Sequence, residues 1–375
     1  MRVLIAPDSF TGTLSAVQAA EAIAAGWRDT APDDELILAP LSDGGPGFTD
    51  VLHACLGGEL IALTVHGPRG ELVPASLLRV GEVAYLESAQ AAGLHLIPPD
   101  RRDPGVTSTF GVGELIAAAV DAGARRIVLG LGGSGTNDGG AGALAALGAA
   151  PADLLRAGGL ALRELDPETL DLAPARARPA GVELQLATDV DSVLLGLRGA
   201  SATFGPQKGA DPDTVQRLDA ALEHFARAAQ PGVGLNMTGS LAIAPGAGAA
   251  GGLGFGLMLL GATRLAGIAT VTELTGLADA VGTVDLVVTG EGSFDWQSLA
   301  GKVVAGVAAV AGEHARPCLV LAGRVEVGRR EIAALGVSAA YAITDEVDPA
   351  EALARPAEHL RTLAARVARS WSRPM

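Results

Sequence analysis

Three features of the 375-residue sequence predict an α/β fold built on largely parallel sheet with helices on both faces. Short β-branched or Leu-rich runs alternate with Ala-rich segments of helical period. Those runs end again and again in an acidic residue or a Gly-rich loop. The chain also carries 51 Gly against 3% aromatics, a composition that asks for many sharp turns or close backbone approaches. Strand and helix in alternation bury a parallel sheet between helical layers. The length suggests two or three domains, and 49% apolar residues suffice for sizeable cores.

Taken in order, the first strand is Arg2–Ala6, an apolar run stopped by Pro7 and Asp8, and a helix of Ala and Ile at helical spacing follows over Ser15–Arg28. The next strand is Glu35–Ala39. A hairpin over Glu59–Val80, turning at Gly67 to Gly70, breaks the βα rhythm and marks entry to a second domain. The rhythm resumes with a strand at Val83–Leu86, a helix at Val112–Ala122, a strand at Arg126–Gly130 and a helix at Gly142–Leu147. Then come strand Glu183–Thr188 and helix Thr214–Ala229. Strand Asp285–Thr289, helix Leu299–Ala311 and strands Cys318–Ala322 and Ala340–Ile343 complete the pattern. No internal repeat is found.

Charge and composition exclude several classes of function. The net charge of −15 and the absence of a basic arm argue against nucleic acid and anionic lipid. Cys55 and Cys318 lie in unrelated apolar stretches, which reads as a reducing compartment, and no His joins them in a zinc pattern. The N-terminal apolar run meets Asp8 too soon for a signal peptide. The uncharged stretch Ala228–Thr263 is long enough to span a membrane, but its Gly and Pro content reads as a buried loop entering a helix. The expectation is a soluble cytoplasmic protein.

In open α/β sheets ligands bind beyond the carboxyl ends of the strands. Here those ends carry Asp8-Ser9, Asp43-Gly44-Gly45, Glu87-Ser88, the loop Gly132 to Gly139, Asp189-Val190-Asp191 and Gly290-Glu291-Gly292. Each acid alone reads first as a helix cap or solvated loop. Their repetition beside glycines points to a phosphorylated ligand bridged to carboxylates by Mg²⁺. Only two of the 27 basic residues are Lys, and both Lys208 and Lys302 sit in glycine-bounded segments, where a compact ammonium suits phosphate. No Gly-x-x-x-x-Gly-Lys-Ser/Thr loop exists. The pattern Gly-x-Gly-x-x-Gly occurs twice, at Gly130/Gly132/Gly135 and Gly246/Gly248/Gly251. The first follows a strand, which keeps a dinucleotide-dependent oxidoreductase as a rival.

Six segments carry a resemblance. They are Ala6 to Ala16 (APDSFTGTLSA), Pro40 to Gly45 (PLSDGG), Leu131 to Gly140 (LGGSGTNDGG), Phe204 to Gly209 (FGPQKG), Gly246 to Gly252 (GAGAAGG) and Thr289 to Gln297 (TGEGSFDWQ) with Gly301-Lys302. In sequence and in order they resemble the bacterial class I glycerate kinases, over residues 2 to about 345. The resemblance implies ATP-dependent phosphorylation of D-glycerate, usually to 2-phosphoglycerate. It also implies a flavodoxin-like domain built from both chain ends, 1–60 and 285–375, with a second α/β domain, 61–284, inserted, and the active site in the cleft between them. A homodimer is one expectation for the assembly, which the sequence itself leaves open.

On that resemblance Asp189 would take the hydroxyl proton, and Asp43, Asp191 and Glu291 would hold Mg²⁺ directly or through water. Lys302, with Lys208, would neutralise the transferring phosphate. Gly132, Gly133, Ser134 and Asn137, with Gly248 and Gly251, would face the phosphates of the nucleotide. Asp8, Ser9, Asp43, Gly44 and Gly45 would contact glycerate, and Arg198 would meet its carboxylate. The chain departs from the family at Thr11, where Lys is common, at Pro46 and Phe48, where Glu and Thr are, and at Ser192-Val193, where Asn-Pro is usual. Those departures keep open a different substrate or a non-catalytic relative that binds sugar acid or nucleotide.

Overall fold

The computed structural model describes residues 1–10, 12–231, 239–296, 298–299 and 302–372, so Thr11 lies outside the described residues, as do Gln297 and Gly301 of the last segment above. The described strands are β1 (Arg2–Ile5), β2 (Glu35–Leu38), β3 (Glu59–His66), β4 (Leu72–Val80), β5 (Val83–Glu87) and β6 (Arg126–Gly130), then β7 (Glu183–Ala187), β8 (Thr263–Leu265), β9 (Leu286–Phe294), β10 (Cys318–Val325) and β11 (Ala339–Ala342). The chain divides into two compact units. One comprises Met1–Asp43, Asp50–Gly57 and Ile268–Met375, the other Gly44–Thr49 and Gly58–Gly267. The return to the first unit falls at 268, earlier than the 285 expected, because the helix Gly267–Leu274 packs on the helix Val303–Glu313. A Cβ on Gly306 would lie 2.7 Å from the Ile268 side chain.

The first unit holds a wholly parallel five-stranded sheet in the order β11-β10-β9-β1-β2. Counted along its own strands this is 2-1-3-4-5, the flavodoxin-like order, whose direction reverses between β1 and β9. Val3, Leu4 and Ile5 are fully buried, as befits a central parallel strand. On one face lies the helix Ala16–Thr30, started by a capping box in which Ser15 accepts from the Gln18 N–H and Gln18 accepts from the Ser15 N–H. Its buried Ala19, Ile23, Ala24 and Trp27 share a core with Leu360, Leu363 and Val367 of the helix Pro356–Trp371. That C-terminal helix has no counterpart in the sequence reading.

The second unit holds a six-stranded sheet, β3-β4-β5-β6-β7-β8. The hairpin expected over Glu59–Val80 is present as antiparallel β3 and β4, β4 and β5 are also antiparallel, and β5 to β8 run parallel. Its main buried cluster is aliphatic apart from Phe225 and Phe255, which meet edge to face at 6.0 Å. The uncharged stretch ending at Thr263 does lead into a helix, Ala249–Met258, after a left-handed start at Ala250, Gly251 and Gly252. No helix among the described residues is long and apolar enough to cross a membrane.

Candidate active site

The carboxyl ends of β1, β2 and β9 bring charged residues of the first unit within reach of one another. The Asp8 N–H donates to the Gly290 carbonyl at 2.8 Å, which fixes Asp8 beside β9 at the point where strand order reverses. Asp8 is held well above the usual carboxylate range, first by burial and then by the negative charges of Asp43 and Glu291. The Ser9 N–H, 2.6 Å from its Oδ1, and the Lys302 ammonium pull the other way. Glu291 is pushed up to about 7, chiefly by burial, with Asp295 and Asp43 adding to the rise and Ser298 and Lys302 opposing it. Its Oε1 is buried without a hydrogen-bond partner among the described residues. Lys302 occupies the N-cap of the helix Val303–Glu313, so its ammonium and the helix dipole supply positive potential from one place. Asp8, Asp43, Glu291 and Lys302, drawn from four segments, thus act on one another electrostatically.

One local expectation changes here. Gly290-Glu291-Gly292 is not a loop after a strand ending at Thr289; β9 continues to Phe294, and Gly290 to Phe294 pair with Leu321 to Val325. Gly290 makes this possible, since a Cβ there would come 2.0 Å from the Leu321 carbonyl oxygen. Glu291 is therefore mounted on a strand, which gives its carboxylate a stiffer support than a loop would.

In the second unit several expected phosphate contacts are taken up by the chain itself. The Gly132 N–H donates to the Gly44 carbonyl at 3.0 Å, and a Cβ on Gly132 would meet Gly45 Cα at 2.4 Å. Gly133 (φ +72°) similarly faces the Pro46 ring. Glu87 accepts the Gly47 N–H at 2.9 Å from a buried position, so a carboxylate that the sequence marks only as a strand end secures the loop after Asp43. The Gly248 N–H goes to the Ser192 carbonyl at 2.9 Å, and Gly251 (φ +69°) lies against the Thr136 carbonyl, where a Cβ would come within 1.9 Å. These glycines permit backbone to touch backbone. The same holds for the dinucleotide pattern, because Cβ atoms on Gly130 and Gly135 would strike the Gly44 carbonyl oxygen and the Ile97 side chain.

Lys208 is the clearest departure. Its side chain is buried, with Nζ donating to Ser134 Oγ at 2.9 Å and to the Thr136 carbonyl at 2.7 Å. Burial lowers its pKa to about 7, against the pull of Asp138. It holds the loop 134–136 from within and does not present its ammonium to an incoming phosphate. Asp138 caps the helix Ala141–Ala146 through the N–H groups of Gly140 and Gly142, and also accepts from Thr109 N–H and Oγ1. Asn137 donates from Nδ2 to Ser201 Oγ at 2.9 Å and is fully buried. The buried oxygens Thr136 Oγ1, Asn137 Oδ1 and Ser192 Oγ lack partners among the described residues, a feature with no sequence signal.

Asp191 is exposed and paired with Arg264 at 2.7 Å, and no group of three His, Cys, Asp or Glu among the described residues is arranged around a metal ion. Arg198 is exposed beside Leu197 in the turn before Gly199 and is tied to no site residue by a described bond. Asp189 follows β7 and is half-buried next to Thr188, whose Oγ1 accepts the Val190 N–H.

Comparison with known proteins agrees across the whole chain. The model of the glycerate kinase family matches residues 3–372. Glycerate kinase of Bacillus subtilis is 40% identical, covering 99% of this chain and 97% of its own length. Glycerate 2-kinase of Escherichia coli is 39% identical over 92% and 91%. The crystal structure of a protein described as a putative glycerate kinase 2 from Salmonella typhimurium LT2 superimposes with a TM-score of 0.78 at 36% identity, covering 99% of this chain and 98% of its own.

Proposed function

This chain belongs to the glycerate kinase family, and from that premise we propose that it transfers the terminal phosphoryl group of ATP to the 2-hydroxyl of D-glycerate with Mg²⁺ as cofactor. The observation that carries the reading is the cluster of Asp8, Asp43, Glu291 and Lys302 where strand order reverses. Phosphoryl transfer asks a protein for positioning and charge neutralisation more than for covalent chemistry. Lys302 at a helix N-terminus suits the phosphate oxygens. Asp8 and Ser9 orient the glycerate hydroxyls.

The carboxylates suit Mg²⁺ in its usual protein mode, in which one or two carboxylates bind and water and substrate phosphate complete the shell. Asp43 and Glu291 are the proposed holders, since the buried Oε1 of Glu291 has no hydrogen-bond partner among the described residues and could bind a cation. When bound, the ion would neutralise charge building on the phosphate oxygens. Asp189 is the proposed acceptor of the hydroxyl proton. A second reading gives that proton to Asp8, and its raised proton affinity favours it.

The test is the purified protein with ATP, Mg²⁺ and D-glycerate, the product followed by phosphorus NMR. The expected product is 2-phosphoglycerate; accumulation of the 3-isomer overturns the regiochemistry. Asp189→Asn should fold and lose at least ~10²-fold in kcat. Retention of kcat in that variant, with loss in Asp8→Asn, transfers the base to Asp8.

A further inference from the structure

The strands bordering the two sheets are unequal: β2, β11 and β8 have 4, 4 and 3 residues, but β3 has 8. Short strands, Lys, Pro and bulges are the usual protections of a sheet edge. The sequence of β3, ELIALTVH, has neither Lys nor Pro, its pairing with β4 is unbroken, and its ionisable groups stand only at the two ends.

Which backbone groups face outward follows from the ladder. The Gly67 N–H donates to the Glu71 carbonyl at 2.6 Å, and register continues from His66 opposite Leu72 to Glu59 opposite Arg79. Opposed residues in an antiparallel pair alternate between bonded and non-bonded. Glu59, Ile61, Leu63 and Val65 therefore turn their N–H and C=O toward β4, and Leu60, Ala62, Thr64 and His66 turn theirs away. The His66 N–H bears this out by leaving the ladder for Glu114 Oε2 at 2.7 Å. On β4 the Ser76 N–H is likewise capped, by Gln90 Oε1 at 2.6 Å. Leu60, Ala62 and Thr64 are exposed and have no outward partner among the described residues.

We infer that this edge is a self-association surface: β3 pairs antiparallel with β3 of a second copy about a two-fold axis at Ala62, joining two sheets into one. Ala62 then faces Ala62 of the partner subunit, and Leu60 faces Thr64 of the partner subunit, so each outward N–H meets an outward C=O. Ile61 and Leu63, already packed on the core of the unit, fall opposite each other's copies and extend one apolar layer. Glu59 falls opposite Val65, so no like charges are opposed. Sliding the axis toward His66 runs into the end capped by Glu114, where Gly111 presses so closely on the His66 carbonyl oxygen that a Cβ there would lie 1.8 Å away. Sliding it the other way sets Thr64 against Gly58. The small, uncharged centre and the capped end together select a second copy in one register.

A contact this narrow belongs with interfaces under ~1,200 Å², which are weak and reversible, so the dimer should grow in between ~1 and ~200 µM. Sedimentation across that range should pass from monomer to dimer, with amide exchange at Leu60, Ala62 and Thr64 slowing at the high end. Ala62→Pro removes an outward N–H that the β3–β4 ladder does not use. It should weaken the dimer at least ~30-fold through two lost hydrogen bonds and leave turnover unchanged. Ala62→Arg, which opposes two like charges at the axis, should do the same and serves if the Pro variant misfolds. Monomer at every concentration, a dimer that survives in the folded variant, or amide exchange indifferent to concentration would each overturn the assignment.

Discussion

Glu291 ties the site's chemistry to the stability of the fold. Its ordinary value of 4.5 rises to about 7 on folding, mainly because the side chain is buried. Below pH 4.5 it is protonated in folded and unfolded chains alike and carries no penalty. Between 4.5 and 7 the unfolded chain releases the proton first, so stability falls, and above 7 the full cost persists. At about 1.4 kcal/mol per unit that cost comes to roughly 3–4 kcal/mol. Glu291→Gln should therefore raise unfolding free energy in urea at pH 8 by up to about 3–4 kcal/mol and leave it unchanged at pH 4. Equal effects at both pH values would mean that charge burial is not the cause. That Asp8, Asp43 and Glu291 influence one another's charge fits a sequence in which acids recur beside glycines at successive strand ends, a repetition that outweighs the helix-cap reading of each acid alone. The role of Lys208 was not legible, since a glycine-bounded Lys reads alike whether its ammonium faces a ligand or the loop behind it. Gly132, Gly248 and Gly251 misled in the same way, one letter serving both close packing and phosphate contact.

Among the elements, the helices Ala16–Thr30 and Pro356–Trp371 set the packing of the first unit, and Gly26 is where they touch. A Cβ there would lie 2.0 Å from the Arg361 carbonyl oxygen, and Arg361 also holds Asp29 through Nε and a terminal nitrogen at 2.7 and 2.9 Å. In a free helix Gly→Ala gains about 1 kcal/mol. Here overpacking against backbone, about 1–3 kcal/mol or more, opposes that gain. Gly26→Ala should lower stability by about 2 kcal/mol in denaturant titration, whereas an increase would show the helix pair to be easily parted. Periodicity found the first of these helices and the strands β1, β6, β7 and β10 within a few residues. It missed the last helix, whose apolar positions Leu360, Leu363 and Val367 sit among many charges, and it missed the three-residue β8, too short for any period to register.

At the scale of the molecule, the first unit is discontinuous, and both chain ends belong to it. Ending the chain at Arg355 would uncover core formed by Ile23 and Trp27 and remove Leu360, Leu363 and Val367. At about 1.5–3 kcal/mol for each lost side chain, roughly 5–9 kcal/mol disappears, close to the whole margin of an ordinary domain. That truncation should yield insoluble or protease-sensitive protein; a cooperative unfolding transition at an unchanged temperature would show the helix to be dispensable. The flavodoxin-like order rests on the same discontinuity, because β9 enters between β1 and β10 only after the chain has completed the other unit. During synthesis β1 and the helix Ala16–Thr30 leave the ribosome early, yet the strand and helix that cover them come last. With roughly 340 residues still to be made between Thr30 and the end of the helix Pro356–Trp371, at roughly 5–20 residues per second, that apolar face waits some tens of seconds for its partner. The split of the first unit thus predicts a nascent chain that engages chaperones through that face, for a reason that the finished fold no longer displays.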